Sequence, residues 1–536
     1  MTQDSPSGFE LTFHAAAQAI LGSCMELTLN GRHILVDCGL QRGSRVLDAL
    51  DQGRFDFDAS RLEAVVLTHA HVDHCGLLPK LVEQGFTGHI WCTHGTADLL
   101  EFMLADAGRI QEAEAEKRNH RAGQPMMQPL YTEVDALQAW RQSRGVDLGE
   151  WFEPAPGFRV RFWNATHIIG SASAEIEVAT ERGPVKLLFS GDIGPDNREL
   201  QANPLVPTGL DYIVCDSTYG NRTLEILGTD ARRALLERQI NAAMARGGNL
   251  VIPVFAQERT QELALDIIRL VEGNRIPGVP VFVDSPLASR ATMVFARHTA
   301  GMEDIQGMDI ARHPSIHYVE DVEQSKRLNG VSGAIILAAS GMCEGGRIRH
   351  HLKHNLLRRD STVLFVGFQT PGSLGRLILD GAPRVPILDE EISVRATIRR
   401  VDSYSSHADS QDLLAWIKAR LPVSGALFLS PGDSEAVAGL EELVQADVPL
   451  LKIITPQSGE RFFIIPGAPP RRLRAAREDA EEAQGPDWQN DYASFVANLK
   501  HEMANLPTDK DRRRALAEMR AILVQGEGQD GSGAPD

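Results

Sequence analysis

Apolar and polar positions alternate over Phe9–Phe13 and again over Met25–Leu29, the period of strands with one buried face. Asn30-Gly31 follows, a dipeptide suited to a tight hairpin because both residues tolerate positive φ. His33 to Gly39 then reads as a strand with Asp37 near its end. Ala64-Val65-Val66-Leu67 is a short apolar run and Leu77 to Phe86 is amphipathic, so the chain passes there from strand through loop to helix. Gly88–Cys92 predicts a further strand and Thr96–Lys117 a charge-rich helix, before a loop over 118–130. β character resumes at Phe158–Phe162, Val185–Phe189 and Tyr212–Cys215.

Beyond Cys215, short apolar strands alternate with helical stretches, which predicts a parallel α/β domain. Its turns are glycine-rich. Ala339–Arg347 carries Ser340, Gly341 and Gly345, and a second turn carries Gly372, Ser373 and Gly375. A single such turn is only a tight turn; several in one domain are read as backbone cradles for phosphate. Residues 466–486 are rich in Pro, Ala, Arg and Glu and predict a linker or frayed helix. Trp488, Tyr492, Phe495, Leu499 and Met503 recur at steps of three and four, the stripe of a helix. A pair over 488–505 and 508–524 either docks on its own domain or binds a second copy or partner subunit, and 526–536 reads as disordered.

Composition narrows the class. The 536 residues allow two to four domains, and 43% hydrophobic with 24% charged residues is ordinary for a soluble globular protein. No run of eighteen apolar residues exists and the first residues lack a signal peptide's basic and apolar regions. Six cysteines without CxxC pairing point to reduced thiols in the cytoplasm. A net charge of −18 counts against a protein that coats nucleic acid, so any such ligand needs a local basic groove. One candidate is Arg347, Arg349, Lys353, Arg358 and Arg359, a run without an acid; the alternative is a solvated helix face.

The chemistry concentrates at Thr68-His69-Ala70-His71-Val72-Asp73-His74. His69 and His71 alternate on an extended loop, so both imidazoles can face one point, while Asp73 and His74 fall where a helix starts and aim at a neighbouring one. Nitrogen and carboxylate donors in this mixture suit zinc. His167 and Asp192, each just after a strand, complete a dinuclear set in which Asp192 bridges. Asp37 is read as the carboxylate that orients a metal-bound histidine. Cys75 is read as a packing residue.

With these motifs the chain resembles the metallo-β-lactamase superfamily, through its HxHxDH loop, single downstream histidine and later aspartate. Asp216-Ser217-Thr218-Tyr219-Gly220, Ala339–Arg347, Gly372–Arg376 and Ser403–Asp409 narrow the likeness to the β-CASP nucleases, over about residues 9–465. The resemblance implies an αβ/βα sandwich over 9–216 and 391–465, with a parallel α/β β-CASP cap inserted over 217–390. It implies a hydrolase that cuts RNA phosphodiester bonds as endonuclease or 5′→3′ exonuclease, with one or two Zn2+, or Mn2+, as cofactor. His407 matches the branch's motif-B histidine, and Asp216 its motif-A acid, which in the family hydrogen-bonds that histidine. Asp73, His407 and Asp216 are thus the expected catalytic residues; Arg347 and the glycine turns are expected to hold single-stranded RNA.

One position departs. RNA-acting members carry a Val-His-Gly-Glu block whose histidine binds the second ion, and here the corresponding stretch is Ser430-Pro431-Gly432-Asp433. Loss of that nitrogen implies a weaker second site and keeps open a DNA-directed nuclease or a weakly active RNA-binding subunit. His14, where relatives have a small residue, is a replacement ligand or, more simply, a polar loop residue.

Overall fold

The computed structural model describes residues 8–15, 22–40, 54–120, 126–195, 207–224, 228–299, 309–370, 372–474, 508 and 514–515. The chain divides into two units, residues 1–369 with 373–483, and residues 370–372 with 484–536. In the second, Arg514 and Ala515 are helical. The rest of the expected helical pair over 488–505 and 508–524, and the tail, lie outside the described residues.

Two mixed sheets stack to form the core of the first unit. One has eight strands in the order Arg471–Arg474, Arg461–Ile464, Phe9–Ala15, Cys24–Leu29, Arg32–Val36, Leu62–Val66, His89–Thr93 and Ser143–Val146. The other has seven, in the order Ile453–Ile454, Ala426–Leu429, Tyr212–Cys215, Gly183–Phe189, Ala172–Thr180, Phe158–Asn164 and Trp151–Ala155. Period-two alternation decides what meets between them. Phe9, Leu11 and Phe13 turn inward from one sheet, and Phe158, Val160 and Phe162 from the other, in one buried cluster. The outer faces are covered by helices: Leu78, Leu99 and Leu100 pack on Val65 and Leu67, and Leu413, Trp416 and Leu440 pack on Leu188, Ile213 and Leu427. This is the αβ/βα sandwich.

A second sheet system is inserted between Cys215 and Ala426. Its six strands are all parallel, in the order Ile316–Tyr318, Val281–Asp284, Ile335–Ala338, Leu250–Pro253, Thr362–Phe365 and Thr397–Arg400. Central strands such as Ile335–Ala338 are buried at every position, as a parallel sheet covered on both faces requires. The edge strand Thr397–Arg400 comes from beyond the expected boundary at 390, because the ribbon of Arg384–Ile387 with Glu390–Ser393 precedes it within the insert. The expected linker from 466 likewise begins later. Arg471–Arg474 pairs antiparallel with Arg461–Ile464 as an arginine-rich edge strand.

Loops that leave the carboxyl ends of strands gather at one edge of the sandwich. Asp37, His69, His167, Asp192 and Asp216 each stand on such a loop. Backbone crosses backbone closely there: a Cβ on Gly39 would lie 1.7 Å from the Asp73 carbonyl oxygen, and one on Gly194 would lie 1.8 Å from that of Thr166. Only glycine permits these approaches. No described helix is long and apolar enough to cross a membrane.

Candidate metal centre

After the strand Leu62–Val66, the chain stays extended through His71, which precedes the helical turn Val72–Cys75 with φ −76° and ψ 147°. That conformation turns His69 and His71 toward the loop following Phe158–Asn164. His71 Nδ1 then stands 3.2 Å from His69 Nε2 and 3.1 Å from His167 Nε2. Asp192 Oδ2 closes the group at 3.6 Å from His69 Nε2 and 3.4 Å from His167 Nε2. Zinc–nitrogen bonds of about 2.0–2.1 Å in a tetrahedron place the donors about 3.3 Å apart, so the spacing fits a divalent cation. Lone pairs converging this closely repel unless a cation or a shared proton lies between them. Burial, with neighbouring imidazoles adding to it, holds His71 and His167 well below the ordinary histidine value, which keeps their lone pairs free.

Asp73, His74 and Asp192 form a second set, with His74 Nε2 3.1 Å from Asp192 Oδ1. Asp192 therefore offers one oxygen to each set. Burial alone would lower His74 and raise Asp192. Their attraction, joined by Asp37 on the histidine and His69 on the aspartate, reverses both shifts.

Neighbouring groups aim these rings. Asp37, at φ 60°, accepts from His74 Nδ1 at 2.7 Å, from Thr68 N at 2.8 Å and from Thr68 Oγ1 at 2.9 Å. Thr68 Oγ1 lies 3.0 Å from His69 Nδ1, and His167 Nδ1 donates to the Ser406 carbonyl at 2.8 Å. Each bond fixes the ring's outward nitrogen toward the centre.

The His407 ring packs against that of His167, tilted by 54° with centroids 4.5 Å apart. Its Nδ1 is 4.0 Å from Asp192 Oδ2 and 3.9 Å from Asp216 Oδ2. The second distance is too long for the expected hydrogen bond. Asp216 instead accepts from the backbone amides of Thr218 at 2.8 Å and Ile193 at 3.1 Å.

At the departing position, the Pro431 carbonyl accepts from Ser217 N at 2.9 Å and Ser217 Oγ at 2.7 Å. It contributes to holding the loop, while Asp433 caps the helix Ser434–Asp447. His14 is no replacement. Its Nε2 meets Glu26 at 2.8 Å and its Nδ1 meets Asp56 at 2.8 Å. Burial opposes its charge, but the hydrogen bonds to Asp56 and Glu26 raise it to about 10. Cys75 is fully buried with its thiol pushed up by burial, a packing residue.

The expected phosphate cradle is largely turned inward. Ser340 N donates to Gly345 O at 3.2 Å, Gln369 Nε2 to Gly341 O at 3.0 Å, and Gly375 N to Met342 O at 3.2 Å. Ser373 caps its helix by accepting from Arg376 N. Gly372 is an exposed turn residue at φ 82° and belongs to the second unit. The basic run is also largely paired. Arg347 donates to Asp284 at 2.6 Å and to Val319 O at 2.9 Å, Lys353 to Glu390 at 2.7 Å, and Arg358 to Asp360 at 3.0 Å. Folding brings Asp284 and Glu390 onto a stretch that carries no acid of its own, so Arg347 acts first as an internal strut.

The comparisons follow the same division of the chain. The metallo-beta-lactamase superfamily model matches residues 19–242, the Beta-Casp domain model 260–378, and that of the Zn-dependent metallo-hydrolase RNA specificity domain 391–456. A ribonuclease of Thermus thermophilus is 33% identical over 436 residues, covering 80% of this chain and 94% of its own length. The chain belongs to the β-CASP branch of the metallo-β-lactamase superfamily. Other β-CASP relatives include the transcription termination factor FttA of Methanothermobacter thermautotrophicus, 29% identical over 77% of this chain and 65% of that protein. The cleavage and polyadenylation specificity factor 73 of Drosophila melanogaster is 25% identical over 81% of this chain and 61% of its own. A solved structure of a protein of unknown function from Enterococcus faecalis V583 shares the fold, with TM-score 0.51 and 13% identity over 85% of this chain and all of that one.

Sequence reasoning missed Thr68 and Ser406. Thr68 stands beside the quoted histidines and was available to it. Ser406 acts through its carbonyl, which every residue carries, so no residue type marks it.

Proposed function

We propose that the chain is a metal-dependent ribonuclease that hydrolyses phosphodiester bonds of single-stranded RNA in processing or decay, acting in the cytoplasm. The convergence of His69, His71, His167 and Asp192, with Asp192 shared by Asp73 and His74, carries this reading. The cofactor is read as zinc, with manganese as its substitute. A divalent cation there lowers the pKa of water toward neutrality and offsets charge building on the phosphoryl oxygens. Asp73 orients the attacking water and takes its proton. With Nδ1 of His407 turned to Asp192 and Asp216, Nε2 is the atom left to protonate the departing 3′-oxygen. Asp216 fixes the loops around it through Thr218 and Ile193.

Pro431 supports a second reading, a weakly active RNA-binding subunit, because the second set then has three protein donors and no fourth among the described residues. Metal content and cleavage of 5′-labelled single-stranded RNA and DNA, in the wild type, His71→Ala and His407→Ala, separate the two. The ribonuclease reading expects RNA cleavage, loss of bound cation in His71→Ala, and a fall of roughly 10²–10⁴-fold in His407→Ala with the cation retained. Bound cation with no turnover of either polymer would sink it in favour of the subunit.

A further inference from the structure

Arg222 lies two residues past the Asp216–Gly220 stretch. Its guanidinium carbon is 3.9 Å from the ring centroid of Phe368 and 4.7 Å from that of Tyr219. The Tyr219 ring in turn lies 5.1 Å from the His407 ring, which faces Asp192. Backbone bonds pin the position: Arg222 N donates to Tyr219 O at 3.0 Å, and its carbonyl accepts from Ser410 N at 2.8 Å. Among the described residues, no carboxylate and no hydrogen-bond acceptor meets this guanidinium, in contrast to Arg347 with its Asp284. Aromatic faces attract the positive charge but leave the in-plane N–H groups unsatisfied. A half-buried arginine held over two rings in this way keeps a fork of donors whose geometry matches phosphate oxygens.

We propose that Arg222 binds the RNA phosphate next to the one at the metal centre, so the cleft prefers a strand with consecutive phosphates over an isolated diester. The proposal rests on the ribonuclease reading and deepens it. Phe368 follows the inserted-domain strand Thr362–Phe365, whereas Tyr219 and Arg222 follow the sandwich strand Tyr212–Cys215. Insert and sandwich therefore hold this one cation between them, which makes substrate grip depend on both.

The test compares wild type with Arg222→Gln, both loaded with zinc, on oligouridylate at several salt concentrations and on bis(p-nitrophenyl) phosphate, which has a single phosphate. The proposal expects KM for oligouridylate to rise roughly tenfold, and the slope of log(kcat/KM) against log salt to lose about one unit. Turnover of the small diester should stay within about twofold, since the metal centre is untouched. An unchanged KM and slope on RNA would overturn the assignment, as would an equal loss on both substrates, the mark of a purely structural strut. If the wild type cleaves the small diester but not RNA, the ribonuclease reading fails by itself. Oligouridylate binding then decides on Arg222: loss of the unit of slope keeps the assignment and an unchanged slope removes it.

Discussion

Asp37 sits one bond behind the metal centre, and its two oxygens hold both His74 and the Thr68 backbone. Removing such a carboxylate from behind a ligating histidine weakens cation affinity by roughly 10–100-fold. Asp37→Ala is therefore expected to lose its cation to a chelator at concentrations that leave the wild type loaded, as read by competition titration. His14 supplies a different kind of prediction, since it is a buried cation between Glu26 and Asp56, remote from any ligand role. Its folded-state value is raised from 6.5 to about 10, so its contribution is full below 6.5 and is lost as pH rises through about 10. Glu26 is the mirror case. Burial opposes its charge, but bonds to His14 and then His33 lower it from 4.5 to about 2, so its contribution is present above 4.5 and is lost as pH falls through about 2. His14→Ala removes the cation shared by Glu26 and Asp56 and should cost about 3 kcal/mol at neutral pH, and its denaturation midpoint should lose the alkaline decline of the wild type. The clustered donors, and Asp37 behind them, were legible in the sequence because few other tasks require these side chains in that spacing. The ion pair of Arg347 was not legible, because its partner, Asp284, is 63 residues away and nothing local announces it.

Among the elements, the loop that presents His407 is tied to the inserted domain three residues earlier. Tyr404 is fully buried and donates to Asp266 at 2.7 Å, a carboxylate that also receives Arg232 Nε at 2.9 Å and Arg233 Nε at 2.8 Å. A hydrogen bond to a charged acceptor contributes about 2 kcal/mol, so Tyr404→Phe is expected to unfold at correspondingly lower denaturant. As a positioning residue it should also lower kcat on RNA and on a small diester in the same proportion, with KM and bound cation unchanged. A variant with full kcat would show that the latch stabilises the fold without placing His407. Several strands of the sandwich were legible as elements, because alternation over Phe158–Phe162 follows from which face is covered. Their membership was harder to read. Thr397–Arg400 joins the inserted sheet rather than the sandwich, and a four-residue strand states its pairing partner nowhere in its own residues.

For the molecule as a whole, the net charge of −18 and the pairing of Arg347, Lys353 and Arg358 reduce the cationic surface that run offers to RNA. On the proposed reading, RNA is held by the centre and a few cations such as Arg222, so binding should depend on salt only modestly, with a slope near that of a few phosphate contacts. The fold class and the dinuclear pattern could be recognised before any coordinates. What could not be read was the consequence of Pro431, because it depends on where a carbonyl turns, and here it turns to Ser217. The central claim is that two sets of donors sharing Asp192 hold divalent cations at the sandwich edge. Anomalous X-ray scattering at the zinc edge, from crystals soaked in zinc, tests it most directly. The account predicts a strong peak among His69, His71, His167 and Asp192, and a weaker one between Asp73, His74 and Asp192. Soaked crystals without a peak at either place would contradict it.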